Sequence, residues 1–159
     1  ATYVRKNIPI RASGPLLQGD SFLGSGGYVQ TSHGDNDLYI ANIHGWPLPE
    51  DKKDTEDRLK QSAEILDFFK GKKGMRIIGG DFNLLPETKS VKMFAENGYR
   101  NLIEEFNIPT TRNRFSLDLY PLKQYFADYV FVSPEVKVKN FSVPPLEVSD
   151  HLPLIGEIE

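Results

Sequence analysis

The sequence predicts an α/β fold, with helices packed on sheet, from three observations. A stripe at helical spacing occupies residues 54–70, short apolar or alternating runs flank it, and the runs near the C-terminus have short connections. The length, 159 residues, suits one domain with a core that needs no staples. Hydrophobic residues make 39% and charged residues 26%, the balance of an ordinary globular domain. No apolar run approaches the ~20 residues of a membrane-spanning helix. There are no cysteines, which excludes a disulfide scaffold, a thiolate zinc site and a cysteine nucleophile. The net charge of −3, from 19 basic and 22 acidic residues, argues against a non-specific duplex binder. It leaves room for a local basic patch or a small phosphorylated substrate.

Taken in order, residues 1–10 lack the charged and apolar regions of a signal peptide and read as the middle of a domain. Residues 11–27, rich in Gly, Ser and Pro, read as a loop. Gly24-Ser25-Gly26-Gly27 within it lacks the Lys-Ser/Thr of a phosphate loop and reads as a turn. Residues 27–32 and 37–43 read as strands joined by hairpin residues His33-Gly34-Asp35-Asn36. The helix over 54–70 carries a stripe of Leu59, Ala63, Leu66 and Phe69 flanked by Ile65. Its acidic start and basic end, which suit the macrodipole, read as a solvated face, and Gly71 stops it. Residues 75–80 follow as a strand, giving a strand–helix–strand unit. A second helix spans 86–97, and strands follow over 127–133, 136–143 and 153–158. Their short connections favour a mixed or antiparallel sheet.

Polar residues interrupt this pattern where core residues are expected. Asn42 and His44 are two apart and share one side of a strand end, the usual place for site residues in α/β folds. A structural histidine is the plainer alternative. Asp81 and Asn83, in Gly80-Asp81-Phe82-Asn83, share a face while Phe82 points into packing; a simple turn is the alternative. Asp128 lies on an apolar strand with Val130 and Val132. A lone buried carboxylate costs several kcal/mol, so it needs a partner, a histidine being the obvious one, unless it is solvated at a strand edge. Asp150 and His151, just before the last strand, are either a site pair or an exposed loop pair.

Together, Asn42-Ile43-His44, Gly80-Asp81-Phe82-Asn83, the strand from Asp128 to Ser133 and Ser149-Asp150-His151-Leu152-Pro153 resemble the endonuclease/exonuclease/phosphatase superfamily. Thr111-Arg112 ahead of the Asp128 strand fits as well. The resemblance implies a DNase I-like two-sheet sandwich flanked by helices and a phosphoester hydrolase using Mg²⁺ or Mn²⁺. It implies His151 at the phosphate with Asp128 orienting it, and Asp81 positioning or activating the attacking water. Asn83 would hold a phosphate oxygen or metal-bound group, His44 would stabilise phosphate charge, and Asp150 would be a metal ligand. Asn42 and Arg112 are expected at the substrate, with Arg114 and Lys123 as further candidates and Trp46-Pro47 as a possible wall or an ordinary loop. The family's early metal-binding Glu has no counterpart among the 41 residues before Asn42, where Asp20 is the one acidic residue ahead of Asp35. The chain is therefore expected to be the C-terminal portion of the domain, lacking the N-terminal strands, and to self-associate through exposed sheet edges. A phosphodiesterase or nuclease is the first expectation. A phosphatase on an inositol or lipid headgroup, or an inactive binding or assembly module, is the alternative.

Overall fold

The stretch expected as a loop over 11–27 contributes one strand and the first residues of a second in the computed structural model, which describes residues 1–17, 24–119 and 124–159. Asp20 and Lys123 lie outside the described residues. Strand β1 (Ala12–Leu17) pairs antiparallel with β2 (Ser25–His33) at one edge of a six-stranded sheet. Ser13 and Pro15 face outward and Leu17 is buried. Proline is tolerated because an edge strand need not pair every N–H, so a composition that reads as loop still forms strand.

The remaining elements include the expected ones in their expected order, with three short additions over 100–119. They are β3 (Asn36–His44), α1 (Glu56–Phe69), β4 (Met75–Asp81), α2 (Lys89–Glu96), β5 (Arg100–Asn101), α3 (Leu102–Glu105), α4 (Arg114–Leu119), β6 (Asp128–Val132), β7 (Val138–Ser142) and β8 (Ile155–Ile158). The large sheet runs β1-β2-β3-β4-β6-β5, and β7 and β8 form a separate antiparallel pair. Among the described residues, only β3 and β4 pair in parallel, bridged by α1, so the sheet is mixed as expected.

Helices α1 and α2 cover one face. Phe68 and Phe69 of α1 meet Tyr28 and Tyr39, with centroids 4.8 and 6.4 Å apart. Phe94 of α2 stacks on Phe131 at 4.2 Å. Phe82, 2% exposed, sits edge-on to Phe94, Tyr129 and Phe131 and anchors the end of β4 in the core. The buried side of α1 is Arg58, Ser62, Ile65 and Phe69, rotated from the expected stripe; Ala63 is exposed. Arg58 can occupy the buried side because backbone carbonyls satisfy it. Its Nε donates to Trp46 O at 3.1 Å, Nη1 to Lys53 O at 2.6 Å and Nη2 to Pro49 O at 2.6 Å.

The acidic start of the first helix also does more than face solvent. Asp54 accepts from Lys89 N at 2.7 Å, Ser90 N at 2.9 Å and Ser90 Oγ at 2.5 Å. It thus caps α2 from outside the helix, where the local cap residue Thr88 makes no side-chain cap bond. Partial burial disfavours the carboxylate, but the bonds from Ser90 and Lys89 outweigh this and hold its pKa below the ordinary value. Asp54→Ala should cost about 1 kcal/mol in denaturant unfolding. Because the folded pKa is depressed, this contribution is present above the carboxyl's unfolded pKa and disappears as pH falls through the folded one. An equal wild-type–variant gap at neutral pH and well below both pKa values would contradict the assignment.

The other face of the sheet carries Ile40, Asn42, Ile77 and Val130, which with Leu154 and residues 1–3 line a cavity of about 370 Å³. The polar strand ends described next share this face.

Candidate active site

Three strand ends converge because β3 and β4 run in parallel and β6 returns against β4. His44 is the register partner of Asp81, and Asp81 that of Asp128. Two glycines allow this convergence. Gly80 has φ +136°, and a Cβ there would stand 2.1 Å from Ile43 O; a Cβ on Gly45 would stand 2.2 Å from Phe82 O. The close approach lets Gly45 N donate to Asp81 O at 2.6 Å.

His151 arrives from the other end of the chain on a short pairing with residue 112. Asn113 N donates to Asp150 O at 3.2 Å and Leu152 N to Thr111 O at 2.9 Å. The Asn113 side-chain amide donates to Ser149 O. Fully buried Thr111 accepts from Ala127 N at 3.1 Å and Asp128 N at 3.2 Å, tying this segment to the start of β6.

The buried carboxylate finds its histidine. Nδ1 of His151 lies 2.9 and 2.8 Å from the two Asp128 oxygens. Nε2 lies 2.6 Å from Arg112 Nη1, 3.7 Å from Asp81 Oδ2 and 3.6 Å from Asp150 Oδ2. A guanidinium only donates, so Nε2 accepts here and the proton sits on Nδ1, donated to Asp128. Burial opposes the charged imidazolium, as does Arg112, but the Asp128 bond and the charges of Asp128 and Asp81 prevail and raise the His151 pKa. The Arg112 contact belongs to the neutral ring, so protonating Nε2 requires the guanidinium to move off it.

The surrounding groups are held in turn. Arg112, 8% exposed, also donates from Nε and Nη2 to Ser116 Oγ at 2.9 and 2.7 Å, and its Nη2 lies 3.4 Å from Asp150 Oδ2. Asp81 accepts from Asn83 N at 2.9 Å. Its burial and the neighbouring Asp128 charge raise its pKa against the pull of His151 and Lys52. For Asp150, the desolvation that would raise its pKa is outweighed by His151, Ser149 and Arg112, which lower it.

Oxygen or nitrogen atoms of Asp81, Asp128 and His151 all lie within 4.8 Å of one another, a grouping able to hold a metal ion. Both ring nitrogens of His151 are already engaged, and both Asp128 oxygens face Nδ1. The Asp81 and Asp150 carboxylates each lie within 4 Å of Nε2.

The structure thus brings Asp81, Asn83, Asp128, Asp150, His151 and Arg112 together. His44 stands exposed at the end of β3, beside Asp81 in the register. The Asn42 amide donates to Ala1 O at 2.9 Å and lines the cavity. Arg114 is exposed, 3.8 Å from Asp118. Trp46 is half-buried in the loop held by Arg58, with its backbone N–H donating to Gln61 Oε1 at 3.2 Å.

Sequence reasoning missed Lys52. Only 7% exposed, it reaches from this loop to donate from Nζ to Asn83 Oδ1 at 3.0 Å. Its burial lowers its pKa, in spite of the opposing charges of Asp81 and Asp128. No sequence signal marks it, because Asp51-Lys52-Lys53-Asp54 reads as a surface run.

The sequence matches the profile of the Endonuclease/Exonuclease/phosphatase family over residues 2–151. No curated protein matches it. Similar solved structures include an endonuclease/exonuclease/phosphatase from Bacteroides vulgatus, with 17% identity and TM-score 0.74 over 98% of this chain and 67% of that one. A mannosyl-6-phosphatase from Bacteroides thetaiotaomicron has 20% identity and TM-score 0.72, covering 98% and 68%. The human Nocturnin catalytic domain with bound sulfate has 19% identity and TM-score 0.71, covering 97% and 61%. These identities show a shared fold, and the chain spans about two thirds of the length of these structures. The profile match, with the six-stranded and two-stranded sheets and their helices, shows that this chain belongs to the endonuclease/exonuclease/phosphatase family and has its DNase I-like α/β fold.

Proposed function

We propose that this chain hydrolyses phosphoesters with a divalent cation, phosphodiesters such as those of nucleic acid first among them. The carrying observation is the Asp128–His151 pair beside Asp81, with Arg112 on Nε2. Asp128 fixes the tautomer of His151 and turns Nε2 toward the cleft. A phosphoryl oxygen is a stronger partner for Arg112 than an imidazole, so substrate draws the guanidinium away and frees Nε2 to hold a proton there. Asp81 orients the attacking water, and His44, at the adjoining strand end, faces the phosphate. Asp81 and Asp150 would hold Mg²⁺ or Mn²⁺, which when bound draws charge from a phosphoryl oxygen.

A second reading, phosphomonoester hydrolysis on a sugar, inositol or lipid headgroup, is favoured by the net charge of −3 and by the fold shared with a mannosyl-6-phosphatase. The test offers bis(p-nitrophenyl) phosphate, a short oligonucleotide and p-nitrophenyl phosphate, with Mg²⁺ or Mn²⁺ and with excess EDTA. Diester cleavage that needs the cation is expected. Undiminished turnover in EDTA contradicts the metal, and cleavage of the monoester alone replaces the first reading by the second. Absence of all three reactions, with phosphate still bound, makes the chain a binding module.

A further inference from the structure

We infer that Lys52 is a positioning residue that fixes the Asn83 side chain as a donor toward a phosphoryl oxygen. The inference rests on the phosphoester reading only for the identity of the bound anion. Asn83 is 7% exposed and has φ +52°, at the turn that leaves β4. Its Oδ1 lies 3.0 Å from Lys52 Nζ and its Nδ2 lies 3.3 Å from Gly45 O. An ammonium can only donate and a carbonyl can only accept, so both contacts demand the same amide orientation. The flipped amide would set NH₂ against NH₃⁺ and oxygen against oxygen.

The consequence concerns what Asn83 offers a ligand. An asparagine beside a phosphate site can give a donor to an oxyanion or its carbonyl oxygen to a cation. Here Oδ1 already carries the Lys52 ammonium, and a metal ion on the same oxygen would meet that charge at close range. The amide's remaining free group is the second Nδ2 hydrogen, which suits an anion. The Asn83 N–H also donates to Asp81 Oδ1, so the turn that holds this amide holds the carboxylate beside it.

The loop geometry supports a dedicated arm. Lys52 is held at φ +55°, its carbonyl accepts from Leu85 N at 2.9 Å just past Asn83, and three carbonyls of the same loop are clamped by Arg58. A buried lysine loses rotamer freedom and hydration, and its Nζ bond to Asn83 Oδ1 offsets that cost. The backbone bond to Leu85 survives a change of side chain, so substitution tests the ammonium and not the loop.

The test reads the Asn83 side-chain amide by NMR in wild type and in Lys52→Met and Lys52→Arg, and inorganic phosphate affinity in the same proteins. In the wild type the Asn83 Nδ2 hydrogens should exchange more slowly than those of exposed asparagines. Lys52→Met should shift this amide pair, speed its exchange and weaken phosphate binding about tenfold, while Lys52→Arg retains part of both. With Asn83→Ala already present, Lys52→Met should change phosphate affinity little further. Exchange in the wild type as fast as at exposed asparagines overturns the inference, even if Lys52→Met does not fold. An amide unmoved in a folded Lys52→Met protein also overturns it. Additive losses overturn the positioning role, since Lys52 would then bind phosphate itself. A hydrolytically silent protein whose Asn83 amide responds as expected refutes the proposed function and leaves this inference standing.

Discussion

His151→Ala and Asp81→Ala are each expected to lower turnover at least ~100-fold, the usual scale for a group that moves or orients a proton. Both side chains are partly exposed, 27% and 19%, so the variants should keep the wild-type fold. The Asp128 partner gives a finer check. Asp128→Asn removes the charge, and with it the charge-assisted character of the bond, that raises the His151 pKa; Asp81 still raises it, against burial and Arg112, which lower it. The ring should therefore titrate at lower pH in Asp128→Asn than in wild type, measured from its ring-proton NMR shifts without added metal. Near-normal turnover in either alanine variant removes that residue from the mechanism. An unmoved His151 titration in Asp128→Asn contradicts the pairing's electrostatic role.

Arg58→Ala is expected to destabilise the protein by about 3–5 kcal/mol. Its guanidinium is 1% exposed as a residue and holds the carbonyls of Trp46, Pro49 and Lys53 in one fork. Removing it strands three acceptors and opens a hole between α1 and the loop that carries Lys52. Arg58→Lys should recover little, because one ammonium cannot span three carbonyls set for a planar fork. Urea unfolding measures both variants. A loss under about 1 kcal/mol for Arg58→Ala would mean that water replaces the arginine without penalty.

The sequence exposed the site better than the scaffold around it. Asp128 on an apolar strand demanded a partner, and the partner is His151, 23 residues away. Phe82 between Asp81 and Asn83 pointed to the alternation that buries it among Phe94, Tyr129 and Phe131. What stayed hidden was set by tertiary contacts. Strand β1 exists because β2 lies beside it, and its Ser-Gly-Pro composition carries no strand signal of its own. The face of α1 turned because Arg58 finds carbonyls inside, which periodicity counts as a polar position. Lys52 sits in a charged run and is buried only because its loop folds back over Asn83. Elements β5, α3 and α4, of two, four and six residues, are too short to show a period.

In the proposed reaction these residues direct water onto phosphorus with a divalent cation. Hydrolysis of a phosphodiester in heavy-oxygen water, followed by mass analysis of the phosphate-bearing product, tests it most directly. With Mg²⁺ present, one heavy oxygen should appear in that product, and neither label nor product should form in excess EDTA. Product that lacks the heavy oxygen, or label incorporated equally with and without the cation, would contradict the account.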